Sequence, residues 1–417
     1  MYLLLTTSYK NKVKVLLVNK FHYLKGGSET YYFALGRLLK EQGCEVIYFS
    51  MKDDKNVPCA QEKYFVNHVD YNSSLSPVQA MAASVKLLYS FEAKRKFEKL
   101  LIDEKPDIIH LNIFQSQLTD SIVFVAMKHH IPIVYTAHDL KAVCPTYLMM
   151  NRGKICDRCI NGNYWHCIST CCMKNSRVKS MLAVLEAESY RIRKTYSRMN
   201  LIICPSQHHK RRLAQGHICN PGILSYMPNF LPEETEYSAG DPNGSYYLYF
   251  GRLSEEKGIM TLLRAFRKAN VKKPLYIVGV GPQEKEICQY IEQHKMQKAV
   301  KMFGFMTGSA LKQIIAAAYC VILPSVCCEN APYSIMEAQA LGRPAIVSDN
   351  GGLPELVTDG LNGYIFHGND PDDLCSKLEK MENSLFPGHE ICQMAREKYS
   401  PDKYVRMLIS EYKRLLN

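Results

Sequence analysis

Short apolar runs rich in β-branched residues recur along this chain, each ended by turn residues and followed by a stretch with helical periodicity. That alternation limits the possible folds more than any other feature of the sequence. Val13–Asn19 is the first run; Lys25-Gly26-Gly27-Ser28 follows it, then an amphipathic helix over Glu29–Gln42 closed by Gly43. Cys44–Ser50, Asp107–Leu111, Ile131–Thr136 and Asn200–Pro205 repeat the strand signal, with helical periodicity over Pro77–Ile102 and Ser176–Met199. The pattern then restarts, with strands at Tyr246–Gly251, Leu275–Gly279, Val300–Phe303, Cys320–Pro324 and Ala345–Ser348. Helices over Gly258–Asn270, Gln283–His294, Ser309–Ala318 and Ser334–Leu341 lie between them. Each round predicts a doubly wound α/β domain built on a parallel sheet. The expected domains are 1–231 and 245–400, joined by a Pro- and Gly-bearing linker at 232–244 and followed by a C-terminal helix at 401–417. Ligands of such sheets bind outside the carboxyl ends of the strands, so the site is expected at a cleft between the domains.

Composition excludes two classes. With 47% hydrophobic residues among 417, the chain can bury substantial cores and is not a disordered one. No run of 18 apolar residues is present, so a transmembrane helix is excluded. The apolar stretch Tyr2–Leu5 is too short for the core of a signal peptide, and Met1–Lys12 reads as a frayed extension. A cytoplasmic protein is therefore expected, with its 16 cysteines mostly reduced. Charge is unevenly placed. Residues 1–230 carry 31 Lys and Arg against 17 Asp and Glu, a net of +14, whereas 231–417 carry 21 against 23, a net of −2.

Two constellations in the second half carry chemistry. Gly251-Arg252-Leu253-Ser254-Glu255-Glu256-Lys257-Gly258 lies between a strand and a helix. Gly251 allows a tight exit from the strand and Gly258 a close backbone approach. Arg252 as a planar fork and Lys257 as a point charge suit a diphosphate, although a solvated charged loop would read similarly. Glu329 and Glu337, eight residues apart, place one carboxylate in the loop after a strand and another in the next helix. Carboxylates there can accept hydrogen bonds from sugar hydroxyls such as a ribose diol. Favouring the helix dipole would explain Glu337 but not the pair.

These segments, with Leu341-Gly342-Arg343-Pro344-Ala345-Ile346-Val347-Ser348 and Gly351-Gly352-Leu353-Pro354-Glu355-Leu356-Val357, resemble family-4 retaining glycosyltransferases of the GT-B fold. The resemblance runs in order over about residues 246–366 and implies two Rossmann-like doubly wound domains facing across a cleft. It further implies metal-independent transfer from a nucleotide-diphosphate sugar. Arg252 and Lys257 would bind the diphosphate, Glu337 the ribose and Glu329 the transferred sugar, with Gly251, Asn330 and Ala331 completing the donor site. Asn330-Ala331-Pro332 stands where the family usually has Gly-Phe-Gly, which puts the backbone contacts to the sugar in question.

The first half adds two weaker signals. Gly26 and Gly27 before a helix expose backbone N–H groups suited to a phosphate or a closely approaching acceptor, and the family has a glycine loop here. Thr136-Ala137-His138-Asp139-Leu140 ends another strand. His138 resembles a family histidine that contacts the donor sugar, and Asp139 could orient it; a loop histidine beside a capping aspartate is the plainer reading. Cys204-Pro205-Ser206 and Pro228-Asn229-Phe230 also fit the family, with Asn229 shaping a turn between domains.

Cysteines crowd residues 144–172. Cys144 is followed by Cys156-x2-Cys159-x7-Cys167-x3-Cys171-Cys172. In a reducing compartment, Cys156, Cys159, Cys167 and Cys171 have the spacing of a structural zinc site, reduced thiols and disulfides being the alternatives. His138–Pro145 together with this Cys-rich insert resembles one subgroup of the family. Asp370-Pro371-Asp372, by contrast, reads as a helix N-cap with proline at the first helical position rather than as a metal-binding Asp-x-Asp.

The expected activity is transfer of a sugar from a nucleotide-diphosphate donor to an acceptor hydroxyl in bacterial surface polysaccharide or glycolipid assembly. Arg252 and Lys257 would stabilise the leaving diphosphate, with no other cofactor for catalysis. A saccharide or lipid-linked saccharide acceptor is expected on the basic N-terminal side. There Lys174, Arg177, Lys179, Arg191, Arg193, Lys194 and Arg198 precede Lys210, Arg211 and Arg212. They read as a solvated face or as attraction to an anionic membrane at the inner face of the plasma membrane. No aromatic-interleaved module supports nucleic acid binding. A nucleotide-sugar epimerase or hydrolase of the same fold, and a non-catalytic metal-stabilised binding protein, are the alternatives.

Overall fold

Apolar runs of four or five residues make strands here because both of their faces are covered. Every residue of Ile108–Leu111, Ile133–Thr136 and Leu201–Cys204 is buried. The computed structural model describes residues 12–69, 84–232 and 244–417. In chain order the strands are β1 (Lys14–Val18), β2 (Glu45–Phe49), β3 (Ile108–Leu111), β4 (Ile133–Thr136), β5 (Met150–Asn151), β6 (Lys154–Ile155), β7 (Leu201–Cys204) and β8 (Leu224–Tyr226). The second series is β9 (Tyr247–Phe250), β10 (Leu275–Val278), β11 (Val300–Met302), β12 (Cys320–Leu323), β13 (Ala345–Ser348) and β14 (Gly363–Phe366).

One six-stranded sheet has the order β2-β1-β3-β4-β7-β8, the other β11-β10-β9-β12-β13-β14. In the first, Val15 pairs in parallel with Val46 on β2 and with Ile108 on β3. In the second, Tyr247 pairs in parallel with Leu275 on β10 and Cys320 on β12. Counted from β9, the second order is the doubly wound arrangement whose direction of winding reverses between β9 and β12. Helices Ile259–Lys268, Glu284–Gln293, Tyr333–Ala340 and Pro371–Glu382 follow strands of this sheet. Leu262, Ile277, Ile322, Ile346 and Leu374 belong to its single apolar core.

Packing divides the chain into two compact units. One comprises Met1–Thr136, Arg198–Leu201 and Val405–Asn417; the other comprises Ala137–Ser197 and Ile202–Tyr404. In the first, buried polar groups satisfy one another. The Tyr412 hydroxyl hydrogen-bonds His110 Nδ1, His110 Nε2 lies 2.7 Å from Thr136 Oγ1, and that oxygen lies 3.1 Å from the Tyr31 hydroxyl. The end of the C-terminal helix Pro401–Leu416 is therefore part of this core, which the sequence did not indicate.

Strand positions agree with expectation to within two residues at each end, but β8, β14 and the hairpin β5–β6 were not anticipated. β8 and β14 are edge strands of three and four residues, Leu-Ser-Tyr with a polar centre and Gly-Tyr-Ile-Phe opened by a glycine, so neither presents a β-branched apolar run. The helical stretch expected over Pro77–Ile102 is interrupted. Ser90 adopts extended backbone and its hydroxyl accepts the Ala93 N–H, starting a new helix at Phe91–Glu104. Residues 77–83 of that stretch, most of Met1–Lys12 and most of the 232–244 linker lie outside the described residues. No helix among the described residues is long and apolar enough to cross a membrane.

Asp370 is a helix cap, as expected. Its Oδ1 accepts the N–H groups of Asp372 (2.9 Å) and Asp373 (3.2 Å), with Pro371 opening the helix. Replacing Asp370 with Ala should cost about 1 kcal/mol of stability in urea unfolding without altering any metal requirement of the activity.

Candidate active site

Where β9 and β12 lie side by side, the chain leaves them toward opposite sides of the sheet, and their carboxyl ends flank a crevice. The loop after β9 begins with Gly251 and Arg252, and the loop after β12 begins at Pro324. The buried Tyr249 hydroxyl donates to the Arg252 carbonyl at 2.8 Å, anchoring the start of the first loop. Gly258 closes it with φ of +70°, and a Cβ at this position would lie 1.9 Å from the Pro324 carbonyl oxygen. Only glycine permits both that backbone angle and that approach. The Val326 N–H donates to the Glu256 carbonyl at 2.9 Å, so the two loops are also joined through their backbones.

Lys257 and Glu329 meet at this junction. Lys257 Nζ lies 2.5 Å from Glu329 Oε1, and the Ser325 hydroxyl donates to the same oxygen at 2.6 Å. Ser325 is held in turn by its carbonyl, which accepts from Ser348 Oγ at 2.6 Å and Asn350 Nδ2 at 2.9 Å. The side chains of Lys257 and Glu329 are only 25% and 12% exposed. Burial opposes charge on both, but their mutual attraction prevails, raising the pKa of Lys257 and lowering that of Glu329. Both groups are therefore ionised at neutral pH. Arg252 is exposed, and among the described residues its guanidinium has no carboxylate partner.

Asn330 and Ala331 extend the same loop. Asn330 Nδ2 donates to the carbonyls of Ala137 (3.0 Å) and His138 (3.2 Å), and its Oδ1 is buried with no hydrogen-bond partner. Asn330 thus joins the site loop to the His138 segment within one compact unit. The Ala331 carbonyl accepts from Asn229 Nδ2 at 3.0 Å. Behind them, the Gly352 N–H donates to the Glu329 carbonyl at 2.8 Å. At Gly351, with φ of +68°, a Cβ would lie 2.3 Å from that same oxygen. Glu355 accepts the N–H groups of Gln207 (2.8 Å) and His208 (2.7 Å), capping the helix Gln207–Gln215.

His138 is held neutral, its pKa lowered to about 3 by burial. Asp139 Oδ1 accepts the Lys141 N–H at 2.9 Å, which fits the capping role. Lys141 pairs with the buried Glu186 at 3.0 Å and donates to the Pro145 carbonyl at 2.7 Å, pinning the segment after His138 to the helix Arg177–Ile192. Glu337 is half-buried in Tyr333–Ala340, which has no acidic residue in its first turn, so dipole compensation does not account for it.

In the other unit, Gly26 precedes the helix Gly27–Glu41, so Gly27 and Ser28 belong to the helix rather than to a loop. Glu29, only 3% exposed, sits in the first turn, where its carboxylate accepts from Asn19 Nδ2 (3.1 Å) and Ser28 Oγ (3.0 Å). Burial pushes its pKa up. A carboxyl beside this helix start weakens the phosphate reading of the glycines and leaves the acceptor reading. Sequence reasoning placed Glu29 at the end of the Lys25–Glu29 segment without a role, and missed Ser325, a single serine with no motif around it.

The structure lends the zinc expectation for Cys156, Cys159, Cys167 and Cys171 no support. Among the described residues, no three His, Cys, Asp or Glu side chains form a group able to hold a metal ion. Cys159 and Cys167 are buried with Tyr164 and Val184. Cys171 has φ of +53° at the end of the short helix Trp165–Ser169, and the following Cys172 N–H returns to the Cys167 carbonyl at 3.0 Å. That capping turn makes Cys172, not Cys171, the neighbour of Cys167. Cys172 Sγ accepts from Asn151 Nδ2 at 2.8 Å and is 3.1 Å from Thr170 Oγ1.

Comparisons with known proteins agree with this geometry. A family model described as Glycosyltransferase Family 4 matches residues 25–234, and one described as Glycosyl transferases group 1 matches residues 233–397. WcaL of Salmonella typhimurium, provisionally named a colanic acid biosynthesis glycosyltransferase, is 30% identical over 160 residues, 36% of this chain and 39% of that protein. The amylovoran biosynthesis glycosyltransferase AmsK of Erwinia amylovora is 28% identical over 142 residues, 32% and 35% of the two chains. These matches span about two fifths of the relatives' length. Among solved structures, sucrose-phosphate synthase of Thermosynechococcus elongatus superposes with a TM-score of 0.70 at 17% identity, over 97% of this chain and 99% of that one. Anabaena HepE in complex with UDP and glucose gives 0.64 at 16% identity, over 96% and 100%. The lipopolysaccharide outer core galactosyltransferase WaaB gives 0.65 at 16% identity, over the same shares. The two parallel Rossmann-type sheets are those of the GT-B fold.

Glu329→Gln should leave Lys257 beside a neutral amide and lower stability by about 2–3 kcal/mol, less than for a fully buried pair because Lys257 keeps some solvent contact. The pKa of Glu329 is held below its ordinary 4.5 in the folded state. Its contribution should therefore be complete at neutral pH and disappear as pH falls through that lowered value. Urea unfolding of both proteins from pH 7 to pH 3 should show the variant lacking part of the acid-limb decline.

Proposed function

The chain belongs to glycosyltransferase family 4, and from that premise we propose that it moves a sugar from a nucleotide-diphosphate sugar to an acceptor hydroxyl with retention at the anomeric carbon. One observation carries this reading: Arg252, Lys257 and Glu329 stand on the two loops that leave β9 and β12 at the reversal point of the second sheet. In the proposed complex the donor's diphosphate lies against Arg252 and Lys257. As the C1–O bond breaks, negative charge grows on the leaving diphosphate, and two fixed cations stabilise it without having to reorganise. Glu329 and the unpartnered Asn330 Oδ1 supply acceptors for hydroxyls of the transferred sugar. Glu337 takes the ribose. His138, neutral by its environment, offers a hydrogen bond rather than a charge. The acceptor attacks on the leaving group's face, and the departing phosphate can take its proton, so the reaction needs no protein base.

The acceptor is a saccharide or lipid-linked saccharide, and the product a bacterial surface polysaccharide or glycolipid. The names of the colanic acid and amylovoran relatives support that placing, and the complex of HepE with UDP and glucose supports a nucleoside diphosphate donor. The Glu29 carboxyl beside Gly26 suits an acceptor hydroxyl better than a phosphate.

A panel of nucleotide-diphosphate sugars, assayed for slow release of nucleoside diphosphate, should identify one donor. With that donor, Arg252→Ala should reduce kcat about 100- to 1000-fold at unchanged thermal stability. Turnover near the normal rate in this variant would refute the assignment, and no turnover of any donor by the unaltered chain would refute transferase activity.

A further inference from the structure

The helix Arg177–Ile192 buries one face and leaves a second apolar face uncovered. Ala183, Val184 and Tyr190 are buried, with Val184 packed against Cys159, Tyr164 and Cys167. Val178, Met181, Leu185 and Ile192 are 63%, 46%, 45% and 74% exposed. Their spacing of three, four and seven residues places all four on one stripe of the helix, on the side turned to solvent. Solvated helix faces are normally polar, and an aligned row of large aliphatic side chains marks a surface that meets something apolar.

The surroundings identify the partner. Arg177 and Lys179 are exposed one position to either side of Val178, so they flank the stripe on opposite edges. Lys174 precedes the helix and Lys194 follows it, both exposed. Glu188, three residues after Leu185 and four before Ile192, pairs with Arg191 at 2.9 Å, so those two charges cancel beside the stripe. An aliphatic stripe edged by Lys and Arg is the composition of a helix that lies in the headgroup layer of an anionic bilayer.

We propose that the outer face of Arg177–Ile192 docks the protein on an anionic lipid surface, Met181 and Leu185 entering the acyl boundary while Arg177 and Lys179 engage lipid phosphates. This goes beyond the donor chemistry and does not depend on it. A protein partner or a second copy of the chain would also cover aliphatic residues, but neither would require cations along both edges of the stripe.

The full-length protein is mixed at low salt with vesicles of phosphatidylcholine, with or without phosphatidylglycerol. It should sediment with the anionic vesicles and remain in solution with the neutral ones. Met181→Glu combined with Leu185→Glu, both at exposed positions, should weaken binding at least about tenfold, and Arg177→Glu with Lys179→Glu by a similar factor. Donor turnover in solution should be unchanged in both variants, which separates failure of this surface from failure of the active site. Absence of binding to the anionic vesicles, or sedimentation insensitive to both double substitutions, would overturn the proposal. So would a concentration-dependent dimer that the Met181 and Leu185 substitutions dissolve while vesicles leave the protein unbound.

Discussion

The ion pair between Lys257 and Glu329 is the contact on which the site depends. Its partners come from loops that leave adjacent strands in opposite directions, so it ties the two sides of the crevice together through their functional side chains. Neither group could keep its charge in so enclosed a place alone, since burial pushes each toward neutrality. Together they hold a cation and an anion ready. In the proposed reaction an arriving diphosphate competes with Glu329 for Lys257, and Glu329 becomes available to a sugar hydroxyl. The pair therefore acts both as a structural tie and as a resting state that the donor exchanges for its own contacts.

Much of this was legible in the sequence, for a physical reason. Strands buried on both faces must be continuously apolar, and β9, β12 and β13 read accordingly. Glycines that permit close approach, such as Gly258 and Gly351, fall beside the functional side chains because backbone crowding is what brings the loops together. The Asp370 cap was legible because a proline directly after an aspartate fits the first position of a helix, where its missing N–H costs nothing. Edge strands β8 and β14 were not, since a serine in the middle of one and a glycine at the start of the other break the β-branched apolar run. Glu29 was hidden as an ordinary polar residue of an amphipathic helix; only the fold shows that it is buried beside Gly26.

The cysteine-rich segment and the charge distribution show where spacing misleads. Cys171 and Cys172 are adjacent in sequence, yet a left-handed residue at the helix end turns Cys172 toward Cys167. The basic excess stops at residue 230 in the sequence, but the compact units do not divide there. Residues 137–197, which include the helix Arg177–Ile192, share a unit with the candidate active site. Its lysines and arginines gain meaning from the apolar stripe they border rather than from the domain to which the linear sequence assigned them.

The central claim is that two cations at the reversal point of the second sheet recognise a diphosphate. Calorimetric titration with matched nucleoside diphosphates and monophosphates, on the unaltered protein and on Lys257→Ala, tests it most directly. For one base the diphosphate should bind at least about tenfold more tightly than the monophosphate, and Lys257→Ala should remove most of that difference while the protein remains folded. Equal affinity for the two nucleotides, or a diphosphate preference that survives the substitution intact, would contradict the account.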